Sequence, residues 1–477
     1  MLLSELLKNA KTKKLDFDAE ITSIVTDSRL AEKDCVFFCM NGRNHNSAYH
    51  AKEALEKGAA AVISEKELES EKAVRVESIE KVLAMCCDNF YGNPSKELKC
   101  VGVTGTNGKT SVAFMIKHIF DSCGRKTGII GTTGNYAGSV QLSETGLTTP
   151  KPVQLYQLFS EMVKENTEYC IMEVSSQALA QGRCEGLRFE TAGFTNLTPE
   201  HLDYHGIMEK YAEAKAKLFE KSRKCILNLD DEYYGFFREK CRTVLTYSVK
   251  NKTADLFAEN IIETNDGIRY KLVSGDAEYS IYLACHGLFS VSNSLAAIGC
   301  CVFSGISIEK CVEALSFFSG VKGRAEVLNI NAPFRVMIDY AHTPDAVENI
   351  LSSVRKTTNG RVISLFGCGG DRDKSKRPLM LRAAAQNSDY IVITSDNPRN
   401  ENPYDIIKDI LSGLIDCAVP FAVIENRKHA IEYALKIASE NDTVVLCGKG
   451  HETYQITGSE KTGFDERKIV YNILKNE

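Results

Sequence analysis

Short apolar runs closed by polar, Gly- or Asp-bearing turns recur along the chain, and they alternate with stretches whose apolar positions fall three and four residues apart. Runs of the first kind predict buried strands and stretches of the second kind amphipathic helices, so their alternation predicts an α/β fold. The first runs are ITSIVTDS, CVFFCM and AAVISE, accompanied by the helical patterns SAYHAKEALEKG and SIEKVLAMCCDNFYG. The segment YGNPSKEL, Tyr91–Leu98, gathers Gly, Asn and Pro between a helix and the next strand and predicts the first domain boundary.

The pattern then restarts. VGVTG, TEYCIMEVSS, ETAGFTNL and KCILNLDD are apolar on both faces, as strands in the middle of a parallel sheet are. From 252 to 285 the runs alternate around NDG and SGD, predicting an antiparallel flank, and a helix follows over 290–303. SGVKGR, Ser319–Arg324, reads as a second linker. Beyond it FRVMIDYAH, RVISLFGCGG, DYIVITSDNP, PFAVIEN and DTVVLCGKG predict five more strands with helices between them. The expected architecture is three α/β domains, 1–96, 97–322 and 323–477: a small first domain, a central mononucleotide-binding parallel sheet with an antiparallel flank, and a Rossmann-like last domain.

The chemistry concentrates where strands end. VGVTGTNGKTS, Val101–Ser111, is an apolar run, a Gly-rich turn and the start of a helix predicted over 112–120. Such a turn offers backbone N–H groups and a helix N-terminus to an anion. Lys109 adds a positive charge for outer phosphates, and a hydroxyl of Thr110 or Ser111 is placed for Mg2+. Gly102 and Gly108 enclose five residues rather than the usual four, so the spacing is irregular.

Glu173 closes an apolar strand, where a carboxylate needs a cation or hydrogen-bond donors; it is either a Mg2+ ligand or a helix N-cap. His201, Asp203 and His205 fall two apart, a spacing that fits neither one helix face nor a standard zinc motif; they form either a site or a polar loop. Lys215 shares the inward stripe of its helix with Tyr211 and Phe219, so its ammonium either snorkels outward or is chemically changed. In the last domain Arg372, Lys374, Lys376 and Arg377 are either a solvated run or cations facing a strand-end crevice. Asp396 and Arg399 flank Pro398 and offer the two charges that an amino acid presents in return.

Composition narrows the classes. With 477 residues, 43% hydrophobic and 25% charged, the chain has the balance of globular domains, and a formal net charge of -5 disfavours a nucleic-acid partner. The 17 cysteines form no CxxC pair and sit mostly in apolar runs, as buried thiols of a reducing cytoplasm do. No apolar run approaches the roughly 18 residues of a membrane span, and the charged first 20 residues do not read as a signal peptide, so neither a membrane partner nor export is expected.

Ten ordered motifs, GTNGKTS, MEVSSQALAQGR, FTNLTPEHLDYHG, YAEAKAKLF, HGLFSVSN, GRAE, DYAHTPDA, FGCGGDRDKSKRP, DNPRNENP and GKGHE, make the chain resemble the Mur ligases over essentially its full length. The resemblance implies a cytoplasmic, monomeric ATP-dependent ligase of peptidoglycan precursor synthesis. ATP would phosphorylate the D-glutamate γ-carboxylate of a UDP-N-acetylmuramoyl dipeptide, and the amine of meso-diaminopimelate would displace the phosphate. It places the triphosphate on Gly105, Thr106, Asn107, Gly108, Lys109, Thr110 and Ser111, with Asn293, Arg324 and Asp339 as further ATP contacts. It implies two Mg2+ sites, one at Thr110 or Ser111 with Glu173, the other at His201 and Lys215, with Lys215 carried as a carbamate. Lys109, Glu173, His201 and Lys215 are then the catalytic set.

By the same match Ser28, Arg43, Asn44 and His45 contact the uridine of the UDP-sugar, and Thr148, Thr149, Ser175, Gln181 and Arg183 contact the peptide. Arg372, Asp396, Asn397, Pro398, Arg399, Gly448 and Glu452 form the amino-acid pocket. Arg399 points to diaminopimelate over L-lysine, because a guanidinium holds a distal carboxylate that lysine lacks. The alternatives are the same reaction with L-lysine, a folylpolyglutamate-synthetase-like ligase, against which the first domain counts, and a scaffold that has lost catalysis. Leu147, before Thr148, departs from the family pattern, where a polar residue is expected.

Overall fold

The computed structural model describes residues 1–12, 16–40, 47–143, 146–414 and 418–475. Its first sheet has four parallel strands in sequence order, Ser23–Val25, Cys35–Phe38, Ala61–Ser64 and Ala73–Arg75. Three carry the apolar runs read from the sequence; the fourth, AVR, is too short and too charged around it to stand out. Helix Ile79–Phe90 packs on this sheet and shares one continuous core with helix Pro152–Lys164, through residues such as Leu83, Cys87, Leu155 and Phe159. The first sheet is therefore anchored to the second by apolar packing rather than tethered by a linker alone.

The second sheet has eleven strands. Its parallel body runs Thr127–Gly131, Tyr169–Glu173, Lys99–Thr104, Phe189–Phe194, Ser222–Asn228 and Val244–Ser248 in spatial order. The strand that feeds the Gly-rich loop thus lies in the interior, buried on both faces, as its unbroken apolar run requires. The expected antiparallel flank is present as Leu256–Thr264, Gly267–Ser274 and Ala277–Leu283. A second flank at the opposite edge, Gly134–Ala137 and Val140–Ser143, has strands too short and polar to be read from the sequence.

The third sheet carries the five anticipated parallel strands in the order Arg335–Asp339, Thr443–Cys447, Val362–Phe366, Tyr390–Ile393, Phe421–Val423, edged by the two-residue antiparallel strand Glu326–Val327. Separate apolar cores cover its two faces. A rim hairpin, Tyr454–Thr457 with Glu460–Gly463, was not foreseen from its polar sequence. Within SGVKGR, Gly323 has a φ of 74°, and a Cβ there would collide with the backbone of Gly450 and His451. Close backbone approach as well as turn geometry therefore calls for glycine at this crossing point. Among the described residues the cysteines are free, and all but Cys123 and Cys285 are buried. No described helix is long and apolar enough to cross a membrane.

Candidate active site

The Gly-rich loop joins strand Lys99–Thr104 to helix Lys109–Ser122. At Gly108, where φ is 86°, a Cβ would collide with the carboxamide of Asn293, which lies on helix Leu288–Phe303 and is 5% exposed. The loop is braced from the adjacent strand end: Thr106 N donates to Asn196 O at 2.8 Å and Asn107 N to Asn196 Oδ1 at 2.9 Å. Lys109 folds back over the loop, donating to Gly105 O at 2.9 Å and Thr106 O at 2.7 Å. Desolvation holds its ammonium below the ordinary range, with Arg324 acting in the same direction and Glu200 and Glu173 opposing.

Glu173 is fully buried at the end of its strand. It accepts from Thr132 N at 2.9 Å, Thr132 Oγ1 at 3.0 Å and Thr110 Oγ1 at 2.8 Å. Ser175 caps the following helix, which removes the N-cap reading of Glu173. Thr110, rather than Ser111, is the hydroxyl that meets this carboxylate. Among the described residues no three His, Cys, Asp or Glu side chains gather closely enough to hold a metal by themselves. The donor set around the loop is instead hard oxygen, the Thr110 hydroxyl and the Glu173 carboxylate, which suits Mg2+ completed by phosphate and water. Beside it, Thr149 Oγ1 bonds Glu173 O at 2.9 Å, Arg183 donates to Thr149 O at 2.8 Å, and Gln181 accepts from Arg183 at 2.6 Å. Thr148 meets Thr132 at 3.1 Å.

Lys215 resolves toward the interior. It is 1% exposed, its Nζ lies 4.5 Å from the centre of the Tyr211 ring, and it donates to Gly105 O at 2.8 Å. Burial pushes its pKa well below the usual ammonium range, with Lys109 adding to the shift and Glu200 opposing it. His201 and His205 do not converge. His205 is buried with Nε2 2.9 Å from Ser176 Oγ, whereas His201, in the left-handed region at φ 56°, stands at the cleft beside Glu200, 3.8 Å away. Glu200 itself lies between two imidazoles, with His342 Nε2 at 3.4 Å. Although burial opposes ionisation, the His342 hydrogen bond and the His201 and Lys109 charges hold the Glu200 carboxyl well below the usual carboxylate range.

Residues of the third sheet reach into this cluster. Arg324 donates to Thr110 Oγ1 at 3.0 Å and stacks 4.4 Å from the centre of the Tyr340 ring, while its buried Nε has no protein partner. A guanidinium aimed at the loop with its buried Nε–H unspent suits a phosphate. Asp339 is tied to the backbone of Ala325 and Ala341, each at 2.7 Å, and so fixes the turn that delivers Arg324. Asn107 of the loop donates to Asp345 Oδ2 at 2.8 Å.

A second polar cluster lies at the strand ends of the third sheet. Arg399, at φ 50°, donates to Gly370 O at 2.9 Å, and its backbone pairs with the rim hairpin through Ile456 O at 3.1 Å. Arg372 is held below its ordinary range by desolvation and by Arg399, with Asp203 of the second sheet opposing. Asp396 meets the buried Lys449, 3.1 Å away, and Asn397 donates to Glu452 Oε2 at 3.0 Å. Gly448, at φ 115°, lies against Asp396 and Arg427. Of the basic run, Arg377 is a buried strut to Glu401 and Asp409, and Lys374 pairs with Glu401 at 3.2 Å.

In the first sheet region Ser28 is buried, with its hydroxyl donating to Glu53 at 2.9 Å and its carbonyl accepting from Lys57 at 2.9 Å. Arg43, Asn44 and His45 lie outside the described residues. Sequence reasoning passed over Glu200, Thr132, His342, Asp345 and Lys449 as individual residues. Glu200, His342, Asp345 and Lys449 stood inside motifs already singled out, and only their partners distinguish them.

An interior P-loop strand, a buried carboxylate beside the loop, and cations delivered from a second parallel sheet define an ATP-dependent phosphoryl-transfer enzyme. Residues 103–301 match the Mur ligase middle domain and residues 323–450 the Mur ligase glutamate ligase domain. The UDP-N-acetylmuramoyl-L-alanyl-D-glutamate–2,6-diaminopimelate ligase 1 of Clostridium acetobutylicum is 43% identical over 96% of both chains. The corresponding ligase of Caldanaerobacter subterraneus subsp. tengcongensis is 42% identical over 99% of both. The solved structure of a ligase of that name superimposes with a TM-score of 0.73 at 30% identity, covering 100% of this chain and 99% of the other. A folylpolyglutamate synthase of Mycobacterium tuberculosis shares the fold at a TM-score of 0.64 and 16% identity, but over only 77% of this chain. The chain belongs to the Mur ligase family.

Proposed function

We propose that this chain joins meso-2,6-diaminopimelate to UDP-N-acetylmuramoyl-L-alanyl-D-glutamate at the expense of ATP. The observation that carries the reading is the convergence on one loop of Lys109, Lys215, Glu173 and Arg324, with a zwitterion-matched cluster at the facing strand ends. The relatives that bear this activity in their names span nearly the full chain, which supports the same substrates here.

Gly105–Thr110 would hold the triphosphate, with Lys109 leaving its two loop carbonyls for the outer phosphates and Asn293 packed against Gly108. Mg2+, held by Thr110 and Glu173 and in a second site by His201 and carbamylated Lys215, would neutralise the phosphates so that a carboxylate can approach. A neutral amine is the form that takes up CO2, and burial shifts Lys215 toward that form. Arg324 brings its unspent Nε to the charge that develops as the γ-phosphoryl group leaves ADP for the substrate's γ-carboxylate. The amino acid's amine then attacks the acyl carbon, the C–O bond to phosphate breaks, and an amide, phosphate and a proton result. On this reading Thr148, Thr149, Ser175, Gln181 and Arg183, which bond one another or the strand ends beside the loop, would position the dipeptide, and Ser28 would contact the uridine. Domain limits at 96/97 and 322/323 fit the left-handed Asn93 and the glycine crossing at Gly323.

The test is phosphate release with the UDP-muramyl dipeptide and either meso-diaminopimelate or L-lysine. Turnover is expected with diaminopimelate, and Arg399→Lys should raise its KM by about 10- to 100-fold, the loss of a bidentate carboxylate contact. Preference of the unaltered enzyme for lysine would refute the assignment.

A further inference from the structure

Lys449 is 0% exposed and none of the strand-end residues predicted from the sequence includes it. Its ammonium lies 3.0 Å from Asn397 Oδ1, 2.9 Å from Tyr454 O and 3.1 Å from Asp396 Oδ1. Glu452 Oε2 is 3.6 Å away. Two of its protons go to Asn397 Oδ1 and Tyr454 O, the Asp396 carboxylate meets it as an ion pair, and complete burial keeps the ammonium from a ligand. Lys449 is therefore placed to shape the cluster rather than to touch what enters it.

Its geometry fixes two things. Asn397 Oδ1 accepts from Lys449 and also from Ile456 N at 3.0 Å, so the amide can only present its NH2 to Glu452 Oε2, 3.0 Å away. The carboxylate of Glu452 is aimed through that amide. Charge is fixed as well: Asp396 and Glu452 bring two negative charges, and the neighbouring Arg427 is already paired with Glu466 at 2.8 Å. One buried ammonium leaves the Asp396, Glu452 and Lys449 group one net negative charge, the complement of a ligand ammonium, apart from the cations Arg372 and Arg399, which suit a ligand's carboxylates. Burial alone would push Asp396 toward protonation, and Lys449 and Arg427 together keep it ionised.

We propose that Lys449 is the positioning residue of the amino-acid pocket, orienting Asn397 and Glu452 and setting the charge with which the pocket receives the incoming ammonium. This rests on the reading of the cluster as the amino-acid site. The experiment compares Lys449→Met, Lys449→Gln and Lys449→Arg in the full-length enzyme. Two reactions are measured, amide formation with meso-diaminopimelate, and ADP release with hydroxylamine, a small nucleophile that captures the acyl phosphate without needing the pocket. The neutral variants are expected to raise the KM for diaminopimelate on the order of 10- to 100-fold. The KM for ATP and the hydroxylamine reaction should stay within about 2-fold. Lys449→Arg should restore part of the affinity, since the charge returns without the compact geometry of the ammonium.

An unchanged KM for diaminopimelate in folded neutral variants overturns the proposal, as does an equal loss in both reactions. Should the neutral variants fail to melt cooperatively, Lys449→Arg decides: an amino-acid-specific rise in KM supports the role and wild-type behaviour overturns it. Wild-type enzyme that captures hydroxylamine yet uses no diaminopimelate would instead overturn the reading of the pocket, and the role of Lys449 with it.

Discussion

Lys109 and Lys215 direct their ammonium nitrogens at one and the same oxygen, the carbonyl of Gly105, from 2.9 and 2.8 Å. Two cations cannot share a buried carbonyl without cost, and the more deeply buried one, Lys215, is pushed toward neutrality by burial and by Lys109. In the proposed mechanism the two would take different roles, Lys109 at the phosphates and Lys215 as the amine that carries the carbamate.

On the proposed mechanism, replacing Lys215 by Ala should lower kcat by on the order of 100-fold or more while ATP still binds, because the proposed carbamate ligand of a second Mg2+ would be lost. In the unaltered enzyme, 13C-bicarbonate should give a carbamate resonance that Lys215→Ala abolishes. A fully active Lys215→Ala enzyme would remove the carbamate from the mechanism.

Glu200 of the second sheet region and His342 of the third meet at 3.4 Å, beside the Asn107–Asp345 hydrogen bond. Glu200→Gln and His342→Gln should be non-additive in their effect on kcat/KM, with a coupling of about 0.5–1 kcal/mol given the partial exposure of the imidazole. Both should expand the scattering profile of the free enzyme. Additive effects and an unaltered profile would show that the contact does not hold the sheets together.

Arg427 is the buried strut beneath the amino-acid cluster. It pairs with Glu466 at 2.8 Å and donates to Ser395 O at 3.2 Å and Cys447 O at 2.8 Å, the residues just before Asp396 and Gly448. Glu466→Ala leaves a buried guanidinium without its counter-charge and should cost about 3–5 kcal/mol in urea unfolding. The double replacement Arg427→Met with Glu466→Leu should recover much of that stability but not the affinity for the amino acid. A Glu466→Ala protein as stable as the unaltered one would contradict the strut.

His451 is held neutral, at about 4, by burial and by the Arg324 charge. Its folded value lies below the ordinary 6.5, so between those limits the unfolded chain binds the proton more readily. The stability it contributes is complete above pH 6.5 and is lost as pH falls toward 4, by up to about 3 kcal/mol. His451→Gln should flatten the fall in melting temperature across that window; an unchanged slope would assign the acid sensitivity to other groups.

The sequence by itself determined the alternation of strands and helices, the interior position of the loop strand, the inward face of Lys215 and the family, because these depend on local periodicity and on residues close together in the chain. Glu173 was readable for the same reason, as a charge that an apolar strand cannot end on without a partner. What only the tertiary structure decided is which groups share a partner. Lys109 and Lys215 are 106 positions apart by number yet share one carbonyl; Asp396 is paired with Lys449; and Glu200 is poised between His201 and His342. The edge hairpins escaped notice because their strands are only four residues long and lack a sustained apolar pattern. Those assignments follow from how three sheets pack, and packing is set by the sum of many weak apolar contacts that no single motif carries.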